Sequence, residues 1–233
     1  MPTYSCGCVN AEDPASGAEF CVHKCEFHVS WLAAQPKGDA YYRSIGVLNP
    51  DGSVARDRYV AELEDALGEL PLPPGLANDE ALEIGCGVSP YVRAVQTRGY
   101  AYTGIDPDQW AATRTSLEGL PGSSVNVIAG PFRGSDWADR YFGLVLVAHS
   151  LEHLPDAPGT LRDVFRMLVP GGHLVLLVPD DEDKVNPDHT WFFGEPALRS
   201  YLAKTGFEVV RAAVRRMNDR ENFLYFLARK PDR

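Results

Sequence analysis

Short apolar runs recur along the chain, separated by stretches whose apolar residues fall at helical intervals. Ala81 to Ile84, Ala101 to Ile105, Val125 to Ala129, Leu144 to Ala148 and His173 to Val178 are such runs. Runs of this length between turn residues read as strands, Ala81 to Ile84 as a buried one and Leu144 to Ala148 as a central parallel strand buried on both faces. Between them the period changes. Val60, Leu63, Leu67 and Leu70 are spaced 3, 4 and 3 over Arg56 to Leu70, one inward stripe that Pro71, Pro73 and Pro74 end. Pro90 opens a helix carrying Tyr91, Val92, Ala94 and Val95, since its missing N–H costs nothing in a first turn. Another helix follows Pro107-Asp108 through Leu117. The next shows Leu161, Val164, Phe165 and Leu168 inward, and Val169-Pro170-Gly171-Gly172 breaks it. Glu195 to Thr205 is the last helix, with Leu198, Tyr201 and Leu202 inside and Gly206 as its stop. Strands six and seven, Phe207 to Val214 and Asn222 to Arg229, are joined across Arg215 to Glu221 without a helix. Alternating strands and helices with short loops predict an α/β fold with helices on both faces of a doubly wound, mostly parallel sheet.

Composition narrows the picture modestly. The 233 residues allow one full α/β domain and a modest extra segment. Hydrophobic content is 45% and charged content 23%, ordinary for a soluble globular chain. A formal net charge of -10 argues against a large nucleic-acid footprint, which would need clustered Lys and Arg. No apolar run is long enough for a membrane span and no basic-then-apolar signal opens the chain, so a cytoplasmic protein is expected.

The first strand runs into Gly85-Cys86-Gly87, and the second ends on Asp106, about 20 residues on. Glycines let a backbone approach its ligand, and an acid at the second strand's tip suits a ribose diol. Pro90 stands where a dinucleotide site would want a third glycine, and Glu83 would repel a pyrophosphate. Both features weigh against a nicotinamide oxidoreductase.

Glu83-Ile84-Gly85-Cys86-Gly87 and Asp106 resemble the first two motifs of class I S-adenosylmethionine-dependent methyltransferases. Tyr141 to Pro155 (YFGLVLVAHSLEHLP) is similar to the family's fourth motif, with Gly143 replacing the usual acid, and Leu168 to Gly172 matches a further signature. The resemblance implies a Rossmann-like methyltransferase fold of seven strands with an antiparallel last strand, and S-adenosylmethionine as cofactor. It places Glu83, Gly85, Cys86 and Gly87 at the methionine end and Asp106 with Pro107 at the ribose. Gly130, Pro131 and Phe132 fall at the adenine, where the usual acid is missing and Asp136 is a distant candidate. His149 and Ser150 are implied as further cofactor contacts, and Cys86 as a small neutral filler. The segment with Trp31, Tyr41 and Tyr42 would lie over the cofactor as a lid, or pack against the domain's outside.

Cys6, Cys8, Cys21 and Cys25, with His23 and His28 interleaved, supply six donors in 23 positions. Four could close a tetrahedral zinc site, with the cysteines as first-choice ligands and His28 as substitute. Free thiols or disulfides are the alternatives. The expected division is residues 1–30 as the cysteine-rich, zinc-binding segment, 31–75 as a helical lid region and 76–233 as the S-adenosylmethionine-binding domain.

Methyl transfer to a high-pKa hydroxyl benefits from a general base. His149, His153 and His189 fall at expected strand ends, whereas His173 begins a strand on the opposite edge. His189, beside Asp188 in the loop DDEDKVNPDHTWFFG, is the choice of base, with His153 next. The expected activity is O-methylation of a small molecule, a sugar or secondary metabolite. Alternatives are N- or C-methylation of a sugar or quinone-type precursor, a tRNA-base substrate, or a non-catalytic docking module. A homodimer is compatible with this reading.

Overall fold

The computed structural model describes residues 38–68, 79–180, 189–218 and 221–232. The cysteine-rich segment with Cys6, Cys8, Cys21, Cys25 and His28, together with Trp31, Leu70 and Asp188, lies outside the described residues. In chain order the elements are α1 (Gly38–Ser44), α2 (Arg56–Leu67), β1 (Glu80–Ile84), α3 (Val92–Thr97), β2 (Ala101–Asp106), α4 (Gln109–Thr115) and β3 (Val125–Ala129). There follow β4 (Phe142–Ala148), α5 (Ala157–Met167), β5 (Leu168–Pro179), α6 (Glu195–Thr205), β6 (Glu208–Asn218) and β7 (Glu221–Arg229). One seven-stranded sheet runs in the order β3-β2-β1-β4-β5-β7-β6. All neighbours through β5 are parallel, and β7 pairs antiparallel with both β5 and β6. This is the fold expected from the sequence.

Strand alternation separates two cores. Leu82, Ile84, Val145, Val147, Leu174, Leu176, Leu224 and Phe226 meet Leu161, Val164 and Met167 of α5 and Leu198 and Leu202 of α6. The intervening Ala81, Leu144, Leu146, Val175, Leu177, Tyr225 and Leu227 face α2 and α3 on the other side. A sheet covered on both faces explains why its central strands are apolar at every position. Because β1 lies between β2 and β4, the strand order reverses there, the point of a doubly wound sheet at which a ligand crevice lies beyond the strands' carboxyl ends.

Three local differences from the sequence reading have physical causes. The buried face of α2 is Tyr59, Leu63, Ala66 and Leu67, with Val60 only half-buried. Gly68, at φ 79°, ends that helix. β5 begins before the expected break at Pro170: Leu168 already pairs with Phe142, and the register shifts before Leu144. Gly171 takes φ 78° while its N–H donates to Lys230 O at 2.9 Å, so the glycine pair makes an irregularity inside a strand rather than its start. Helix α1, absent from the periodicity, is seven residues long, too short to be stable alone. Burial of Tyr42 among Leu48, Val54, Val88 and Ala111 holds it. No helix among the described residues is long and apolar enough to cross a membrane.

Candidate active site

β1 and β2 stop side by side, Ile84 paired with Ile105, and the turn folds back on them. The N–H groups of Gly85 and Cys86 both donate to Ile105 O, at 2.8 and 3.1 Å. This hairpin-tight path puts Gly85 at φ 67° and Gly87 at φ 49°, conformations side chains resist. A Cβ on Gly85 would also lie 2.4 Å from Ser150 Cβ. Ser150 is pressed there because its hydroxyl donates to Ile84 O at 2.6 Å, tying the loop after β4 to the end of β1.

Asp106 closes the other side. Its Oδ2 accepts from Gly87 N and its Oδ1 from Asp108 N, both at 2.8 Å. Each oxygen keeps a lone pair, enough to receive the two hydroxyls of a ribose. Burial raises its pKa to about 6, although the two backbone donors favour the ionised form. Asp108 then caps α4, its Oδ1 accepting from Trp110 N at 2.9 Å and Ala111 N at 3.3 Å.

Glu83 and Cys86 lie under the turn. Glu83 is buried, and its Oε2 accepts from the Ser89 hydroxyl at 2.6 Å and the Tyr102 hydroxyl at 2.5 Å. Burial pushes its pKa to about 7 against those two hydrogen bonds, with Asp106 adding to the rise. The buried Cys86 thiol fills the space above Gly104, where an added Cβ would meet its Sγ at 2.9 Å. Burial first, then Glu83 and Asp106, raise its pKa well above the ordinary thiol value, which keeps it protonated and unreactive. A small neutral filler is what that environment tolerates.

At the far end of β3, Gly130 N donates to Asp106 O at 2.9 Å. Pro107 and Pro131 are exposed, and Phe132 packs half-buried against the core. Asp136 is exposed in the single turn Gly134–Asp136. Over the glycine turn lies Tyr42, its ring stacked on Trp110 with centroids 5.7 Å apart. Its hydroxyl stands 3.0 Å from where a Cβ of Gly87 would be. Burial raises the phenol's pKa far above its usual value, and Asp106 and Asp108 raise it further.

The other side of the site is built from two distant segments. His149 follows β4 in the left-handed region (φ 53°), its N–H donating to Leu177 O at 2.8 Å and its ring edge-on to Phe223. Burial, then the neighbouring His153 and His189, lower its pKa to about 4. Beyond it, Thr190 N and Trp191 N donate to Glu152 O at 2.7 and 3.0 Å. Trp191 Nε1 donates to Leu154 O at 2.8 Å. These bonds staple the segment after β5 onto the turn after β4. They bring His189 against His153, ring centroids 5.0 Å apart at 76°. His173 sits at the opposite end of the sheet beside Arg229. Sequence reasoning passed over Glu152, whose carboxylate joins the histidine pair, and over Trp110 and Gly104. Only Glu152 carried a signal, its place beside His153.

A family described as a methyltransferase domain matches residues 55–212. The chain is 34% identical over 103 residues to a ubiquinone biosynthesis O-methyltransferase of Pseudomonas fluorescens, covering 43% of this chain and 44% of that one. It is 26% identical over 129 residues to a sterol 24-C-methyltransferase of Yarrowia lipolytica, covering 52% and 33% respectively. Both matches span less than half of the relative's length. A solved S-adenosylmethionine-dependent methyltransferase from Leishmania major superposes with a TM-score of 0.65 at 15% identity, over 87% of this chain and 81% of that one. With these matches, the glycine turn and the spare lone pairs of Asp106, the chain belongs to the class I S-adenosylmethionine-dependent methyltransferases.

Proposed function

We propose that the protein methylates a hydroxyl group of a small molecule, a sugar or secondary metabolite. The observation that carries this reading is the meeting of His153 and His189 at the acceptor side, across Ser150 from the glycine turn. When bound, S-adenosylmethionine supplies an activated methyl group and leaves as S-adenosylhomocysteine. Asp106 holds its ribose, the turn from Gly85 to Gly87 receives its methionine end, and Gly130 to Phe132 border its adenine. His149 stays neutral beside it. His189 takes the hydroxyl's proton as the new C–O bond forms, and His153 keeps the acceptor oxygen in place. The relative named for ubiquinone biosynthesis is an O-methyltransferase, which favours oxygen as acceptor atom. The sterol relative, a C-methyltransferase, keeps C-methylation as the second reading.

For residues 1–30 the proposal is a structural zinc held by Cys6, Cys8, Cys21 and Cys25, with His28 in reserve. The proposed location is the cytoplasm.

Calorimetric titration with S-adenosylhomocysteine tests the cofactor half. Wild type should bind it at micromolar concentration, and Asp106→Ala should abolish measurable binding. His189→Ala should bind as wild type does while its turnover on a hydroxylated acceptor falls by roughly 10²–10⁴-fold. Wild-type turnover in His189→Ala would remove His189 as the base. A folded wild type that ignores S-adenosylhomocysteine would move the weight to a docking module.

A further inference from the structure

We propose that Glu152, His153 and His189 form a divalent-cation site at the acceptor side of the crevice, separate from the cysteine-rich segment. One ligand atom from each of the three lies within 4.8 Å of the others. Two imidazoles and one carboxylate are the donor set of a transition-metal site, suited to Zn²⁺, Mn²⁺, Co²⁺ or Fe²⁺ rather than Mg²⁺ or Ca²⁺, which prefer oxygen throughout.

The placement differs from that of a solvated acidic patch. Glu152 is 1% exposed and His189 6% exposed. The backbone around both is fixed: Glu152 O accepts from Thr190 N, from Trp191 N and from the Thr190 hydroxyl at 2.7 Å. The two histidines therefore approach each other through a built contact between two loops. Donors around a bound cation stand roughly 3–3.5 Å apart. On this proposal, closing the remaining gap requires a rotation of the partly exposed His153 side chain. The proposal has an acceptor oxygen complete the coordination from the partly exposed side of His153.

This inference extends the proposed function, since it rests on the same acceptor site. A hydroxyl bound to such a cation becomes more acidic, as a metal-bound water does, and gives up its proton to solvent water while His189 serves as a ligand. In the cation-free chain that proton passes to His189 instead.

The test is the cobalt content of the full-length chain, stripped with chelator, loaded with Co²⁺ and freed of excess by gel filtration. Wild type should retain one more Co²⁺ per chain than His153→Ala, with the lost absorption confined to d–d bands. Thiolate charge-transfer bands, which would report Cys6, Cys8, Cys21 and Cys25, should be equal in the two chains. His189→Ala is the second variant, and thermal melts check that each is folded. Equal cobalt in wild type and both folded variants overturns the site. Titration of the same samples with S-adenosylhomocysteine separates the two ideas. Loss of binding everywhere sinks the methyltransferase reading, while the cobalt difference still decides this one.

Discussion

The two sides of the crevice are made in different ways. The glycine turn and ribose end of the cofactor side come from one contiguous stretch, Glu83 to Asp108, and their contacts are largely backbone: Gly87 N and Asp108 N on Asp106, Gly85 N and Cys86 N on Ile105 O. The side proposed for the acceptor joins the turn at Leu151–His153 to Thr190 and Trp191, which come nearly forty residues later, and the groups proposed for its chemistry are side chains. A site built from local backbone needs particular residues at fixed spacing, because only glycine tolerates the turn and only a short acid reaches both N–H groups. A site assembled from loops can change its side chains without disturbing the sheet. The first half is therefore suited to a constant ligand and the second to a variable one.

Gly85→Ala should have the largest effect on the fold, because it strikes the joint between the halves. The new methyl would meet Ser150 Cβ at 2.4 Å from a backbone already at φ 67°. Strain and overpacking together should cost about 3 kcal/mol. For a chain of this size that lowers Tm by roughly 10 °C, and S-adenosylhomocysteine affinity should fall with it. Wild-type melting in this variant would mean that Ser150 is not pressed against the turn and that the halves are not rigidly coupled.

Glu83→Gln probes the foundation of the cofactor half. Glu83 titrates near 7 in the folded chain against 4.5 ordinarily, its neighbours being Ser89, Tyr102, Asp106, Cys86 and Tyr91. A raised carboxyl pKa means the folded state holds the proton more tightly than the unfolded state. Glu83 therefore subtracts stability as pH rises from about 4.5 to about 7. Asp106, raised to about 6, acts in the same direction over a lower window and remains in both chains. The neutral amide should be more stable than wild type at pH 8 by on the order of 1–3 kcal/mol, and the gain should shrink towards pH 5. Denaturant melts at the two pH values check this. A difference that does not change with pH would show that Glu83 is not the group responsible.

How legible each region was in the sequence follows from the same contrast. Strand positions such as Val125–Ala129 and helix Glu195–Thr205 were readable because their periods and stops are local. The glycine turn and Asp106 were readable because their spacing is fixed by the geometry of adjacent parallel strands. Helix α1 was not, since its seven residues hold their shape through the burial of Tyr42 in a distant cluster. Glu152 was passed over because its importance depends on the backbone bonds from Thr190 and Trp191, which no local pattern encodes. His153 and His189 were singled out from their places at strand ends. Their contact is a tertiary fact.

The smallest expected effect belongs to Tyr42→Phe, and it asks whether α1 acts as a lid or only as packing. The Tyr42 ring already stacks on Trp110, and Phe preserves that contact. The hydroxyl alone stands over Gly87 beside Asp106 and Asp108, where a bound ligand would meet it. If the hydroxyl hydrogen-bonds the ligand, its loss should weaken S-adenosylhomocysteine binding by roughly 2- to 10-fold, the worth of one hydrogen bond. Stability without ligand should change little, because the ring and its burial remain. Tyr42→Ala removes the stacking too and should weaken binding further. If both variants bind as wild type does, α1 merely covers the apolar cluster of Leu48, Val54, Val88 and Ala111, and the cofactor side is complete without it.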